Sequence, residues 1–367
     1  MRTRYKVLNG ILLVLAVGAV SAGMYVSHAS PCSAPPPFTG DAPRMKAIVA
    51  RCYGPPEILK LAEVEKPTPK DNELLVKVRA ASVNPLDWHM MRGSPYIMRL
   101  DAGIGTPKDD RMGVDFSGTV EAVGKDVKKF HVGDEVFGGR DGAFAEYVRV
   151  REEGAVVLKP SNITFEQAAA VPIAALTALQ GLRDEGHLQR GQKVLINGAS
   201  GGVGTFAVQI AKSMGAEVTG VCSTRNVEMV SKLGADHVID YTKEKYTDAP
   251  VQYDLIVDTV GNEGLLANRH VLKPDGIFVI VGGPKGDWLG PLVSPIKAMV
   301  VSPFVKQKMG FFIAGMDQKD LNTLRDLMQS GAVTPVIDRT YPLEQTSDAI
   351  AYLEEGHARG KVVITVE

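Results

Sequence analysis

The chain has 367 residues, 45% hydrophobic and 23% charged, with a formal net charge of -1. This composition excludes a disordered chain, a collagen-like repeat and a coiled coil, and near-neutral charge argues against a protein that coats nucleic acid. At about 100 to 200 residues per domain, the length predicts two domains.

Arg2, Arg4 and Lys6 are followed by no formal charge until Asp41, and Leu8 to Val26 is almost wholly apolar. A helix of that length rises about 28 Å, close to the roughly 30 Å hydrocarbon core of a bilayer. Residues 1–26 therefore read as a membrane anchor or signal segment. The anchor is favoured because a secretory apolar region usually runs only about 7 to 15 residues. Ser27-His28-Ala29 keeps cleavage open, with small residues at the two positions a signal peptidase reads. From Ser27 to Pro43 the chain has five prolines and no lysine or arginine, which predicts an extended tether over 27–44. Positive residues ahead of the span predict an N-in orientation, with the bulk of the chain outside the cytoplasm. Cys32, Cys52 and Cys222 are the only cysteines and none lies within four residues of another. That spacing predicts neither a disulfide framework nor a cysteine-based zinc knuckle.

From Lys46 to about Pro160, short runs of alternating apolar residues are broken by glycine and proline: KAIVARC, ELLVKVRAASVN, FSGTVEAVG, DEVFGG, AFAEYVRV and GAVVLKP. They predict a small antiparallel, barrel-like domain. At Thr164 the texture changes. Thr164 with Gln167 forms a capping box, and EQAAAVPIAALTALQGL reads as helix behind it. Strands are then predicted at 194–197, 217–223, 237–240, 254–260 and 277–283, alternating with helical segments that end at glycine. Such alternation implies a parallel, doubly wound sheet, so the fold class is α/β. After about Gly315, two helices and two strands return to complete the first domain.

The strongest chemical signal is KVLINGASGGVGTFAVQIAKSMGAEVTGVCS. A buried strand runs into Gly198, Gly201, Gly202 and Gly204 and then into a helix, with Ser200 and Val203 inside the turn. Glycines let the backbone approach a pyrophosphate, and the helix start presents free N–H groups to it. NAD-binding folds place a carboxylate about 20 residues beyond the glycines to hold the ribose 2'-hydroxyl. Here Cys222-Ser223-Thr224-Arg225 stands in that place, with no carboxylate until Glu228. Hydroxyls and a guanidinium suit a 2'-phosphate, so NADPH is the expected cofactor.

These motifs, with AASVNPLDWHMMRG (80–93), GVDFSGTVEAVG (113–124), GDEVFGG (133–139), AAAVPIAALTALQGL (168–182) and LGADHVIDY (233–241), resemble the zinc-free quinone oxidoreductase branch of the medium-chain dehydrogenase/reductase superfamily. The resemblance covers about 45–367. It implies a GroES-like catalytic domain from 45–166 and 316–367 around a Rossmann NADPH-binding domain at 167–315, working as a homodimer. It also implies that Asn84 and Thr177 face the nicotinamide end, that Tyr241 joins Ser223, Thr224 and Arg225 around the adenosine phosphate, and that Gly282 is a further cofactor-binding residue.

Zinc enzymes of the superfamily carry a cysteine where this chain has Asn84 and a His-Glu pair where it has Val114-Asp115, so no metal is expected. Without a Lewis acid, hydride should pass to an acceptor that is already electrophilic, a quinone or an α,β-unsaturated carbonyl. His89, five residues beyond Asn84, is the candidate proton donor, with water as the alternative source. Two other readings stay open: a zinc-independent alcohol or aldehyde reductase, and a non-catalytic NADPH-binding scaffold at the membrane. The expected location is the membrane, with NADPH favouring the cytosolic face and the charge bias the opposite one.

Overall fold

The computed structural model describes residues 17–18, 20–34, 41–283, 286–288, 290–302 and 305–367. The alternating runs of the first half become strands. β1 (Arg44–Val49) pairs antiparallel with β2 (Lys60–Glu65) in a sheet of their own. A second sheet holds β3 (Glu73–Val83), β4 (Asp115–Val123), β5 (Glu135–Gly139), β6 (Tyr147–Arg151) and β7 (Val156–Leu158). β3 is buried at nine of its eleven residues, because it bonds to β4, β6 and the last strand of the chain. Leu74, Phe116 and Phe144 fill the core behind it. Asn84 ends β3 and opens helix α1 (Pro85–Arg92), whose proline at the first turn forfeits no bond.

The capping box forms as expected: Gln167 N–H donates to Thr164 Oγ1 at 3.2 Å and Thr164 N–H donates to Gln167 Oε1 at 3.0 Å. The single helix expected behind it is in fact two. Phe165–Ala169 stops, and α2 (Pro172–Gln180) restarts at a proline that lacks an N–H and restricts the residue before it.

Beyond α2, β8 (Lys193–Asn197), α3 (Gly202–Ser213), β9 (Glu217–Cys222), β10 (His237–Asp240), β11 (Tyr253–Asp258), β12 (Leu272–Ile280) and β13 (Lys308–Phe311) build the parallel sheet. Its order is β10-β9-β8-β11-β12-β13, the dinucleotide-binding arrangement, with the switch point between β8 and β11. Both faces are covered. Val194, Ile196 and Val257 enter one core and Leu195, Ile256 and Phe278 the other, which explains why these strands read as continuous apolar runs. The sixth strand, β13, was not expected from the sequence.

The chain then forms α4 (Gln318–Gln329), whose Leu321, Leu324 and Met328 join the core under α2 and α3. The return to the first sheet is made by β14 (Ile337–Pro342), α5 (Thr346–Glu354) and β15 (Lys361–Thr365), which lies against β3.

Two expectations for the N-terminal region are corrected. Among the described residues no helix is long and apolar enough to cross a membrane, which overturns the expected membrane location. Leu8 to Ala16 and Pro35 to Gly40 lie outside the described residues. The stretch from Ser27 to Ser30, at the end of the N-terminal helical turns, is fastened to the segment between β3 and β4. Arg99 Nη1 donates to the carbonyls of Ser27 and His28 at 2.8 Å each, and Ser30 N–H donates to Gly105 O at 2.9 Å. Cys32 and Cys52 form a disulfide, contrary to the reading of their spacing. Distance along the chain sets no limit on distance in the fold.

Candidate active site

The Gly-rich turn joins β8 to α3 at the switch point. Gly198 has φ +85, and a Cβ there would meet Thr259 Oγ1 at 2.3 Å; a Cβ on Gly204 would meet Gly198 O at 2.1 Å. These two glycines let the turn pack on itself. Gly201 differs, since its Cβ would meet nothing closer than 3.4 Å. No side chain caps α3, so the N–H groups of Val203 and Gly204 in its first turn are left for a ligand, while Gly201 forms a parallel bridge with Gly360. The turn is also where the two halves of the chain meet: Gly360 N–H donates to Ser200 O at 2.9 Å.

Around the ends of β9 and β10 the structure gathers Ser200, Ser223, Thr224, Arg225 and Tyr241. Asn226 Nδ2 lies 3.0 Å from Ser200 Oγ and 3.2 Å from Ser223 Oγ, which ties the Gly-rich turn to the end of β9. Asn226 Oδ1 is buried without a partner, an acceptor that a ligand hydroxyl would satisfy. Arg225 is held at the rim, where Nη2 donates to His357 O at 2.7 Å. Tyr241, whose N–H donates to Cys222 O at 3.0 Å, is 53% exposed. Thr224 is already engaged: its hydroxyl donates to Asp240 Oδ2 at 2.6 Å, and this bond is the chief cause holding the Asp240 carboxyl well below the usual range.

At the other end, Asn84 is buried, and its amide is bound at both atoms. Nδ2 donates to Asp115 Oδ2 at 2.9 Å, and Oδ1 accepts from Lys361 Nζ at 2.5 Å. Thr177 lies half-buried on α2, with its hydroxyl donating to Ile173 O at 2.7 Å. His89 stacks on Trp88 with ring centroids 3.6 Å apart, and its Nδ1 lies 2.5 Å from Ser94 O. Burial lowers the His89 pKa, which favours a neutral ring with Nδ1–H donated to Ser94 and a bare Nε2. Gly282 follows β12, where a Cβ would meet Thr259 O at 2.1 Å, so close packing against the end of β11 requires glycine there.

Sequence reasoning missed Asn226 and Lys361. Asn226 directly follows the run chosen for the phosphate; Lys361 opens the apolar final strand and carries no motif. At the position of a zinc site, Asn84 offers an amide and Val114 a hydrocarbon. Among the described residues no group of three or more His, Cys, Asp or Glu is placed to hold a metal ion. These donors do not fit a catalytic zinc, and no step of the reaction is routed through one.

A dinucleotide-type sheet, an uncapped helix behind a Gly-rich turn and a GroES-like sheet joined at that turn define a two-domain oxidoreductase. Residues 70–161 match the family described as alcohol dehydrogenase GroES-like domain, and residues 233–364 the family described as zinc-binding dehydrogenase. The chain is 35% identical to the mitochondrial NAD(P)H oxidoreductase RTN4IP1 of Mus musculus, covering 90% of this chain and 93% of that one. It is also 35% identical to a chloroplastic NADPH-dependent alkenal/one oxidoreductase of Arabidopsis thaliana, covering 87% and 79%. Among solved structures it is similar to the quinone oxidoreductase from Coxiella burnetii, with a TM-score of 0.77, 31% identity and coverage of 89% and 100%. The chain belongs to the medium-chain dehydrogenase/reductase superfamily.

Proposed function

We propose that this chain is an NADPH-dependent reductase that delivers hydride to a quinone or an α,β-unsaturated carbonyl without zinc. The observation that carries the reading is the Gly-rich turn at the switch point, open at Gly201 and tied through Asn226 to Ser223 at the end of β9, where Ser223-Thr224-Arg225 stands in place of a carboxylate. The first-turn N–H groups of α3 would hold the pyrophosphate. Ser223, Arg225 and Tyr241 would hold the 2'-phosphate, while Thr224, spent on Asp240, orders the loop. Thr177, Asn84 and Gly282 would border the nicotinamide. Bound NADPH supplies the hydride.

Because Asn84 and Val114 cannot assemble a Lewis acid, the acceptor must carry its own electrophilic carbon. The names of the alkenal/one and quinone oxidoreductases among its relatives support that substrate class. The proton that completes reduction is assigned to water, because His89 would have to gain a proton at Nε2 before giving one. For a homodimer, the exposed Ile296 and Met299 of the helix Gly290–Val301 offer an apolar contact. Sedimentation velocity should return a dimer, and a monomer at micromolar concentration would remove that assignment.

The test of function is NADPH oxidation by the purified chain against a panel of quinones, enones and aldehydes. Turnover is expected with the first two; cofactor binding with no turnover on any quinone or enone would sink the reading. Arg225→Ala should weaken NADPH about tenfold or more, the worth of a charge-assisted bond, and leave NADH unchanged. Equal weakening of both would refute the phosphate assignment.

A further inference from the structure

Beneath the Gly-rich turn lie four polar side chains sealed from water: Asn84 is 1% exposed, Asp87 2%, Asp115 0% and Lys361 3%. Two carboxylates and an ammonium out of water are not explained by stability, since apolar packing serves as well or better than a buried ion pair. Their bonds reach the end of β3, the Asn84 amide and the start of the helix that carries Thr177. Asp115 Oδ1 accepts from Ile173 N–H at 3.1 Å, in the first turn of the helix that carries Thr177. Asp115 Oδ2 accepts from Ser82 Oγ at 3.0 Å and from Asn84 Nδ2 at 2.9 Å, and lies 3.8 Å from Lys361 Nζ. Lys361 Nζ donates in turn to Asn84 Oδ1 at 2.5 Å and Val83 O at 3.1 Å. The Lys361 stem runs past the Gly-rich turn, where its Cδ would stand 3.2 Å from a Cβ on Gly202. Burial pushes Asp115 up and Lys361 down, and each is opposed by the other's charge.

We propose that Asp115 and Lys361 are positioning residues for hydride transfer, holding the Asn84 amide, the start of the Thr177 helix and the Gly-rich turn at one fixed spacing. The assignment rests on the reductase reading and adds its alignment device. Neither side chain reaches the surface, so both act through Asn84, α2 and the turn. Reaction rate depends steeply on such spacing, because a shift of about 1 Å costs on the order of a hundredfold.

The experiment compares wild type, Lys361→Met and the pair Asp115→Asn with Lys361→Met. Removing Lys361 alone strands the Asp115 charge and endangers folding, whereas the double variant removes both charges of the pair and leaves only the Asp87 carboxyl, whose pKa burial pushes up to about 7, so the comparison is made at pH 6. Lys361→Met should lose about thirtyfold in kcat, within the range expected for misalignment, while Kd for NADPH, read by fluorescence, moves less than about threefold. The double variant should regain the wild-type unfolding midpoint and remain slow. In cofactor-free protein both variants should exchange amide hydrogens faster at 173–177 and 201–204, with β8 and β11 unchanged. The proposal is overturned if kcat returns together with stability, if NADPH affinity falls in place of kcat, or if exchange at the two segments is unaltered. Should wild type turn over no acceptor, the reductase reading fails by itself, and the exchange measurement then decides whether the pair holds the two segments.

Discussion

Asp87 has a titration behaviour that can be measured. Its carboxyl is buried beside Asn84, whose N–H it accepts at 2.7 Å, and burial is the main reason its pKa is pushed up to about 7 from 3.8. Between those two values the folded chain keeps a proton that the unfolded chain has already released. Stability must therefore fall as pH rises through this window, and level off once both states are ionised. Asp87→Asn keeps an acceptor for the Asn84 N–H and removes the charge. Urea midpoints at pH 5 and pH 8 should differ less in Asp87→Asn than in wild type, with the variant the more stable of the two at pH 8. Identical differences would mean that Asp87 ionises normally in the folded chain. Cys222 illustrates the opposite case of a titratable group with no chemistry: it is buried, and burial pushes its thiol up to about 11.

Within the Gly-rich element, glycines at two positions are required for different reasons, and alanine separates them. At Gly204 a Cβ would stand 2.1 Å from the Gly198 carbonyl, a backbone atom that cannot give way without moving the turn. Gly204→Ala should cost about 1 to 3 kcal/mol of stability through overpacking, and should weaken NADPH because α3 is displaced. At Gly201 φ is -84 and the nearest atom to a new Cβ is 3.4 Å away. Gly201→Ala should therefore leave the unfolding midpoint unchanged and weaken NADPH alone, since the methyl group would occupy the space assigned to the pyrophosphate. Unchanged cofactor affinity in Gly201→Ala would place the pyrophosphate elsewhere. At this scale most of the sequence was legible. Four of the parallel strands were found near their observed ends, three of them runs buried on both faces, and β12 was found with its start five residues late; the Thr164 cap was found because its chemistry is local. β13 was not, since Lys308–Phe311 is short and does not alternate. Lys361 was missed for a different reason: only the pairing of β15 with β3 brings it to Asn84 and Asp115. A charge at a strand end looks solvated until its tertiary partner is known.

Across the whole molecule, the N-terminal region shows where reading composition alone misleads. An apolar run reads as membrane-spanning when nothing in the sequence says what packs against it. In the structure the end of that run meets Trp288, whose ring lies 3.3 Å from where a Cβ on Gly23 would stand. Trp288 in turn sets its ring edge-on to Tyr96, with centroids 5.0 Å apart, and neighbouring Asp287 accepts from Ser94 Oγ at 2.8 Å. The segment thus lies over a seam between the loop after β12 and the loop after α1. Arg99 holds it by donating to Ser27 and His28 while its own face packs 4.4 Å from the Tyr53 ring centroid and 4.5 Å from that of Tyr96. The Cys32–Cys52 disulfide closes a loop of 20 residues, and a cross-link of that span is worth about 3 kcal/mol. Cys32 is exposed and Cys52 buried, so Cys32→Ser removes the bond without disturbing the core. The variant should unfold at lower denaturant than oxidised wild type, and reduced wild type should fall to the same midpoint, with reductant having no effect on the variant. Arg99→Met should expose residues 20–34 to protease more than Cys32→Ser does, because it strips the donors from two carbonyls that the disulfide does not touch. If reduction leaves the wild-type midpoint where it was, the cross-link carries no weight in the folded chain, and Arg99 with the Ser30–Gly105 bond holds the segment unaided.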